Sequence, residues 1–288
     1  METYRRFSIL LYIDSFATKD RSEAKSMNTV KFELYRAFHS RTFLISLLIG
    51  SVICALDLIM FSILVGFGGR YLAQAWIGTD YLFAYNQMFY ILLPVLACLP
   101  YGGSLYTDIK TGYDKNICVK SSRLNYAFAK SVSVFLSGFV SVCLPLAMNL
   151  FIAAGLYPNF IPERLNATSI PLDDVYLFAA IYDKHPAIYC LIYILVDSLF
   201  AGALALTSLS LTVKVKSSFT AVVTPMVLFF MFDIFVGTKD YGNWSVLSML
   251  NPRQYMHFYW YQMLIVFLTI LTVNVAVITV TSKKRDIL

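Results

Sequence analysis

The stretch 42-TFLISLLIGSVICALDLIMFSILVG-66 decides the fold class, because it holds 25 residues and only one charged side chain, Asp57. A helix needs about 20 predominantly apolar residues to cross the roughly 30 Å hydrocarbon core of a bilayer. The apolar residues are continuous, whereas a membrane β-strand alternates apolar and polar residues over about ten positions. We therefore expect a transmembrane helix here.

The rest of the chain repeats this pattern. Of its 288 residues, 58% are hydrophobic and 14% are charged, and its mean hydropathy is +0.66. Soluble domains use charged residues at about 25% of positions. The sequence thus predicts an all-α integral membrane protein with six transmembrane helices. The expected spans are 42–66, 83–105, 128–156, 187–213, 219–236 and 259–281.

The distribution of Lys and Arg predicts the orientation of these spans. If the N-terminus is cytoplasmic, 18 of the 23 Lys and Arg residues fall in inner segments. Cytoplasmic loops carry such an excess, so we expect both termini inside. The net charge of +6 is then a property of segments beside anionic lipid, and it gives no reason to expect a nucleic-acid partner.

Two segments precede or connect the spans. We interpret residues 1–26 as an N-terminal tail and residues 27–288 as the transmembrane domain. From residue 27, Val30, Leu34 and Phe38 recur at helical spacing between basic residues, which predicts a helix lying in the membrane interface. The alternative is a solvated extension of the first span.

An outer segment, residues 237–258, places apolar pairs on both sides of Ser248 and is followed by Asn251-Pro252. This pattern predicts two short helices broken at Asn251-Pro252. Irregular backbone is excluded from lipid, so we expect the segment to be buried against the spans.

The connector between the second and third spans is patterned as a surface helix. Its apolar residues recur three or four positions apart, and the charged ones take the other face. The apolar residues are Tyr106, Ile109, Tyr113 and Ile117, and the charged ones are Asp108, Lys110, Asp114 and Lys115. Gly112 interrupts the pattern, and Ser121-Ser122-Arg123 precede the next span. We expect a helix of two or three turns over residues 106–118, followed by a turn.

The connector and the start of the third span resemble a motif of the permease subunits of ABC-2-type ATP-binding-cassette transporters. The matching residues are Asp108, Gly112, Ser122, Arg123, Tyr126 and Lys130. Six spans, a cytoplasmic N-terminus and Leu250-Asn251-Pro252 before the last span are similar to that family too. The resemblance covers residues 27–285.

The resemblance implies a transmembrane subunit that is not itself an enzyme and has no catalytic, metal or cofactor site. The sequence holds no P-loop motif, so two copies of a separate ATPase would bind ATP and Mg²⁺. The connector would be the coupling helix that docks on this ATPase. The residues expected to couple are Tyr106, Asp108, Ile109, Gly112, Tyr113, Asp114 and Ile117.

A second permease chain, identical or different, would complete the transport path. The expected activity is export of a small peptide, a bacteriocin-like molecule or another amphipathic substrate across a bacterial plasma membrane.

Three carboxylates lie within the expected spans, namely Asp57, Asp197 and Asp233. A charge at a helix centre costs about 2.5 to 3.5 kcal/mol on insertion scales, so such residues usually face protein or water. They are candidates for a path that receives a cationic or amphipathic substrate. The alternative is a structural pairing with basic or hydroxyl side chains, or a place at the wet rim.

Two other classes of membrane protein stay open. A secondary transporter or channel is one, although spans 1–3 do not visibly mirror spans 4–6 as inverted repeats do. A membrane enzyme is the other. His39, His185 and His257 lie in separate segments, and none has the H-E-x-x-H spacing of a zinc protease.

Overall fold

The computed structural model describes residues 29–66, 72–79, 84–120, 122–158, 177–212, 215, 217–238, 241–252, 254 and 257–285. The expected tail, residues 1–26, lies outside these ranges. All regular structure in the described residues is helical. The helices are α1 (29–38), α2 (Arg41–Val65), α3 (Leu72–Ala75), α4 (Ala84–Cys98), α5 (Ser104–Thr111), α6 (Tyr113–Lys120), α7 (Arg123–Leu156), α8 (Ala179–Lys184), α9 (Pro186–Leu211), α10 (Ser218–Thr238), α11 (Val246–Leu250) and α12 (Trp260–Arg285). Two 3₁₀ turns are present as well, Ile77–Thr79 and Gly242–Trp244.

Five of these helices, α2, α7, α9, α10 and α12, are long and apolar enough to cross a membrane. Their bounds agree with five of the expected spans to within five residues. The all-α, multi-pass membrane architecture is therefore confirmed. The expected second span, 83–105, differs, because residues 84–105 form the 15-residue α4, a turn and the start of α5.

Pro100 explains why α4 ends early. Proline has no N–H, so the carbonyl group four residues before it, that of Leu96, loses its backbone donor. Two hydroxyl groups replace that donor: Ser46 Oγ on α2 and Ser141 Oγ on α7 donate to Leu96 O at 2.7 and 3.0 Å. The carbonyl of Pro100 itself accepts from Thr42 Oγ1 at 2.7 Å. The break is thus bonded to two neighbouring helices.

α1 is a separate helix and not an extension of the first span. The chain breaks at Ser40, whose side chain accepts a hydrogen bond from Phe43 N at 3.1 Å and so caps α2. Phe32 and Tyr35 are exposed on α1, while Glu33 and Ala37 are buried. The helix therefore turns aromatic side chains outward, as an interfacial helix does, and holds a charged residue inward.

Two segments that were expected on the outer side fold into the core. In the first, Trp76 and Ile77 are fully buried, and Asn86 Nδ2 donates to the carbonyl oxygens of Ile77 and Gly78 at 2.7 and 3.0 Å. In the second, α11 is buried and ends before Asn251-Pro252 as predicted. The other short helical turn, Gly242–Trp244, precedes α11 instead of following Asn251-Pro252, so the prediction of two helices broken at that position is wrong. Asn251 Nδ2 donates to Asn86 Oδ1 at 2.8 Å, which joins the two segments.

The centre of the bundle is the pair α7 and α9, which pack most extensively on each other. Gly138 on α7 lies where α4 and α9 both approach. A Cβ atom there would stand 2.7 Å from Cβ of Ala205 and 2.9 Å from the carbonyl oxygen of Ala97. Because real carbon contacts are longer, only glycine permits this three-helix approach.

We expect Gly138→Ala to destabilise the protein by about 1 to 3 kcal/mol, because the added methyl group overpacks the junction of α4, α7 and α9. Gly155→Ala is the matched control on the same helix, since nothing lies within 4 Å of a Cβ atom at that position. Thermal unfolding of the detergent-solubilised protein measures both. Equal melting temperatures for the two variants would show that the junction is not tightly packed.

Candidate functional site

Four charged side chains meet where α1, α5 and α7 approach one another. They are Glu33 and Arg36 on α1, Asp108 on α5 and Lys130 on α7, and we call them the charge cluster. Glu33, Asp108 and Lys130 are at most 2% exposed, and the Arg36 side chain is 30% exposed. Two positive and two negative charges thus balance in a largely buried site.

Glu33 binds both cations of the cluster. Its Oε1 accepts from Arg36 Nη1 at 2.9 Å, and its Oε2 accepts from Lys130 Nζ at 3.0 Å. The hydroxyl group of Tyr101, in the turn after α4, donates to Oε2 at 2.8 Å. Both carboxylate oxygens therefore have charged or hydroxyl donors, which is what a buried carboxylate requires.

Asp108 also binds both cations. Arg36 Nη2 donates to Oδ1 at 2.8 Å, and Lys130 Nζ donates to Oδ2 at 2.5 Å. The hydroxyl group of Tyr126, one turn before Lys130 on α7, donates to Oδ2 at 2.7 Å. Asp108 therefore links the connector to both α1 and α7.

Aromatic rings cover the two cations. Lys130 Nζ lies 4.2 Å from the ring centroid of Tyr101, and the Arg36 guanidinium lies 4.4 Å from that of Tyr113. A cation over a ring face is attracted by about 0.5 to 2 kcal/mol, more when water is excluded. Tyr113 opens α6, so this contact ties the second short helix of the connector to α1.

The contacts in the cluster favour the charged forms of Asp108 and Arg36. Burial by itself opposes ionisation of Asp108, but the hydrogen bond from Arg36, the charge of Lys130 and the hydroxyl of Tyr126 outweigh it, so the pKa of Asp108 is lowered. Burial likewise opposes the charge on Arg36, yet the hydrogen bond to Asp108 and the nearby Glu33 raise its pKa. The ionised pair therefore stabilises the fold above the unfolded pKa of aspartate, and this contribution is lost as pH falls through the folded pKa.

The local sequence explains why these residues can meet. Gly112 adopts a left-handed conformation with φ of 71°, and its N–H bonds to the carbonyl oxygens of Asp108 and Ile109, which ends α5. Ser122 caps α7 by accepting from Asn125 N at 3.3 Å. With 34 residues, α7 rises about 51 Å, which exceeds the hydrocarbon core and leaves room for Lys130 outside it.

The structure corrects the predicted connector in two respects. A single helix over residues 106–118 was expected, but Gly112 divides the segment into α5 and α6. Asp108 was expected on the solvent face, yet it is the buried residue of α5. The apolar residues are only half-buried; these are Tyr106, Ile109, Tyr113 and Ile117. Asp114 is half-buried too, and Lys110 and Lys115 are exposed as expected.

Glu33, Arg36 and Tyr101 were not among the site residues predicted from the sequence. The spacing on α1 could have indicated two of them, because Arg36 and Ala37 follow Glu33 by three and four positions and share one helix face with it. Three residues of the resemblance motif, Asp108, Tyr126 and Lys130, do meet in the charge cluster. The motif thus describes one contact site rather than scattered positions.

The three carboxylates expected within the spans differ in their surroundings. Asp57 and Asp197 are fully buried. Asp233 is half-buried and caps α11: its Oδ1 accepts from Val246 N at 2.9 Å, and its Oδ2 accepts from Ser245 Oγ at 3.1 Å. These bonds give Asp233 a structural role, whereas a place for any of the three on a substrate path stays a prediction.

In comparisons with known proteins, no protein-family profile, no curated protein and no solved structure matches this chain.

We expect Asp108→Asn to destabilise the protein by about 3 to 5 kcal/mol, because it leaves Lys130 buried with only half of its negative partners. Asp114→Asn is the matched control, since Asp114 is on the neighbouring helix and makes only a local bond to Lys115 N. Thermal unfolding in detergent compares the two variants. A small and equal effect of both would mean that the charge cluster does not hold the connector.

Proposed function

We propose that this chain is the permease subunit of an ATP-driven exporter similar to ABC-2-type transporters, powered by a separate ATPase. The observation that supports this best is the charge cluster, because it joins a surface connector to the ends of the bundle. A connector that only reversed the chain direction would not need three buried charges. A connector that transmits force needs a stiff attachment.

The mechanism follows from this attachment. ATP binding closes the partner ATPase and displaces α5 and α6, and the displacement passes through Asp108 to Lys130 on α7. Separating a buried ion pair costs about 3 to 5 kcal/mol, so α5 and α7 move together. Since α7 packs along α9, the movement reaches the core of the bundle. ATP thereby favours one of two membrane conformations.

The docking surface in this proposal is the exposed side of α5 and α6. Lys110, Lys115, Asn116 and Val119 are exposed there, and Val119 is 86% exposed. An apolar side chain with so much free surface on a water-facing helix suits burial against a partner. Two ATPase copies, which hold ATP and Mg²⁺, would each engage one permease chain of a homodimer or heterodimer.

The proposal includes six spans with both termini inside. α1 and α5 contact each other, so the start of α2 and the end of α4 lie on the same side. Helical hydrogen bonds continue from α4 to Gly102, so residues 84–102 rise about 28 Å, close to the hydrocarbon thickness. These features support α4 and its turn as the second span. We propose that this membrane is the plasma membrane of a bacterium.

The substrate class we propose is a small peptide, a bacteriocin-like molecule or another amphipathic compound. Two fully buried carboxylates, Asp57 and Asp197, lie within α2 and α9 and favour a substrate with positive charge. In the part of the chain that the structure describes, no group of His, Cys, Asp and Glu could hold a metal ion.

Labelling of introduced cysteines tests the orientation, because the four cysteines that remain after removal of Cys118 are buried or half-buried. In a Cys118→Ser background, we expect Tyr241→Cys to react with a membrane-impermeant maleimide in intact cells, because this exposed residue follows α10 on the outer side. Lys115→Cys should react only after the cells are permeabilised. Labelling of Lys115→Cys in intact cells would overturn the orientation and, with it, the docking of a cytoplasmic ATPase.

Purification in mild detergent tests the partner. We expect an ATPase to co-purify with the tagged chain and to lose at least about tenfold in yield with Val119→Asp, since a charge is buried at the interface. Tyr241→Asp is the control, because Tyr241 is 62% exposed at the other end of the bundle. Substrate movement in liposomes that contain this chain alone would contradict the proposal.

A further inference from the structure

One face of α9 carries a column of aromatic side chains that ends at a carboxylate. Tyr189, Tyr193 and Asp197 follow one another at four-residue spacing, and each is at most 1% exposed. The rings of Tyr189 and Tyr193 lie 4.8 Å apart, and Tyr182 on α8 extends the column with a ring 5.2 Å from that of Tyr189. Asp197 lies about 16 Å along α9 from Pro186, near the middle of the membrane.

Asp197 is incompletely bonded among the described residues. The hydroxyl group of Tyr90 on α4 donates to Asp197 Oδ2 at 3.0 Å. Asp197 Oδ1 accepts no hydrogen bond from any described residue, and the ion pairs found there do not include Asp197. A carboxyl group in such surroundings requires either a positively charged partner or a proton.

Three other carboxylates of the described chain, those of Glu33, Asp108 and Asp233, are bonded more fully than that of Asp197. Glu33 and Asp108 each bind two cationic side chains, and Asp233 accepts backbone and hydroxyl hydrogen bonds. Asp197 has one phenol donor instead. The titratable groups that face it among the described residues are Tyr90 from α4 and Tyr193 from its own helix, and neither supplies positive charge.

Carboxylate and tyrosine rings together are the groups that recognise an organic ammonium ion. The carboxylate supplies the opposite charge, and the ring faces attract a cation without binding the water that it must shed. We propose that Asp197, Tyr90, Tyr193 and Tyr189 form a binding site for a molecule that carries an ammonium group, with the cation beside Asp197 Oδ1. As a substrate site it rests on the proposed transport function, whereas the binding itself does not require the ATPase.

The column also leads toward the outer surface. Tyr193 accepts a hydrogen bond from Gln254 Nε2 at 3.1 Å, and Tyr189 donates to the carbonyl oxygen of Pro252 at 3.4 Å. The site is closed in this conformation, so a cation enters when Tyr90 and Tyr193 separate. Pro94, one turn after Tyr90, removes a hydrogen bond inside α4 and lowers the cost of bending that helix.

Binding of benzyltrimethylammonium to the purified chain in lipid nanodiscs tests this site, with calorimetry as the readout and no ATPase present. We expect the wild type to bind this cation and not its uncharged analogue (2,2-dimethylpropyl)benzene. Asp197→Asn, which keeps the size of the side chain, should weaken binding at least about tenfold. Tyr193→Phe keeps the ring and should bind within about twofold of the wild type, while Tyr193→Leu should bind more weakly than both.

Thr269→Ala, on the exposed face of α12, is the control and should bind as the wild type does. Each variant is first checked for folding by gel filtration and thermal unfolding. Equal binding of the charged and uncharged probes, unchanged binding by Asp197→Asn, or no binding at all would overturn the site; the last result would leave a proton as the partner of Asp197. Since no ATPase is present, failure here is distinct from failure of the co-purification.

Discussion

The charge cluster, whose four side chains are largely buried together, determines how α1, α5 and α7 meet. Helices in lipid gain little from apolar burial against each other, because the surrounding tails are as apolar as their own side chains. Polar contacts must then specify how the helices meet. Glu33 and Asp108 each bind both Arg36 and Lys130, so moving any one of α1, α5 or α7 breaks ion pairs with the others.

The same requirement for polar partners explains the irregular parts of the bundle. Pro100 leaves the Leu96 carbonyl without its helical donor, and serine hydroxyls from α2 and α7 replace it. The buried turn at Ile77 is bonded by Asn86 on one side, and its N–H donates to Asn149 Oδ1 at 3.1 Å on the other. Where the backbone departs from a helix inside the bundle, a side chain from another helix completes its hydrogen bonds.

The sequence predicted what depends on local pattern and failed where distant residues meet. Five spans followed from apolar length. Gly112 was expected to interrupt the pattern of the connector, but not to divide the connector into two helices. The burial of Asp108 could not be predicted in this way, because the apolar stripe of the connector indicates that the opposite helix face is the buried one. The partners that bury Asp108 instead include Arg36, which is 72 positions away in the chain. Periodicity within one segment carries no information about such a partner.

Asp108 and Asp197 are buried in different ways, and the difference follows the work that we propose for the coupling element and for the binding site. A coupling element must keep its contacts while it moves, and Asp108 has its charge fully matched by Arg36 and Lys130. A binding site must instead prefer a ligand to its resting contacts. Asp197 has this property, because its Oδ1 accepts no hydrogen bond from any described residue. A cation beside Oδ1 would form an ion pair that no described side chain already forms. A fully paired carboxylate at mid-membrane would hold the bundle more firmly, and it would bind nothing.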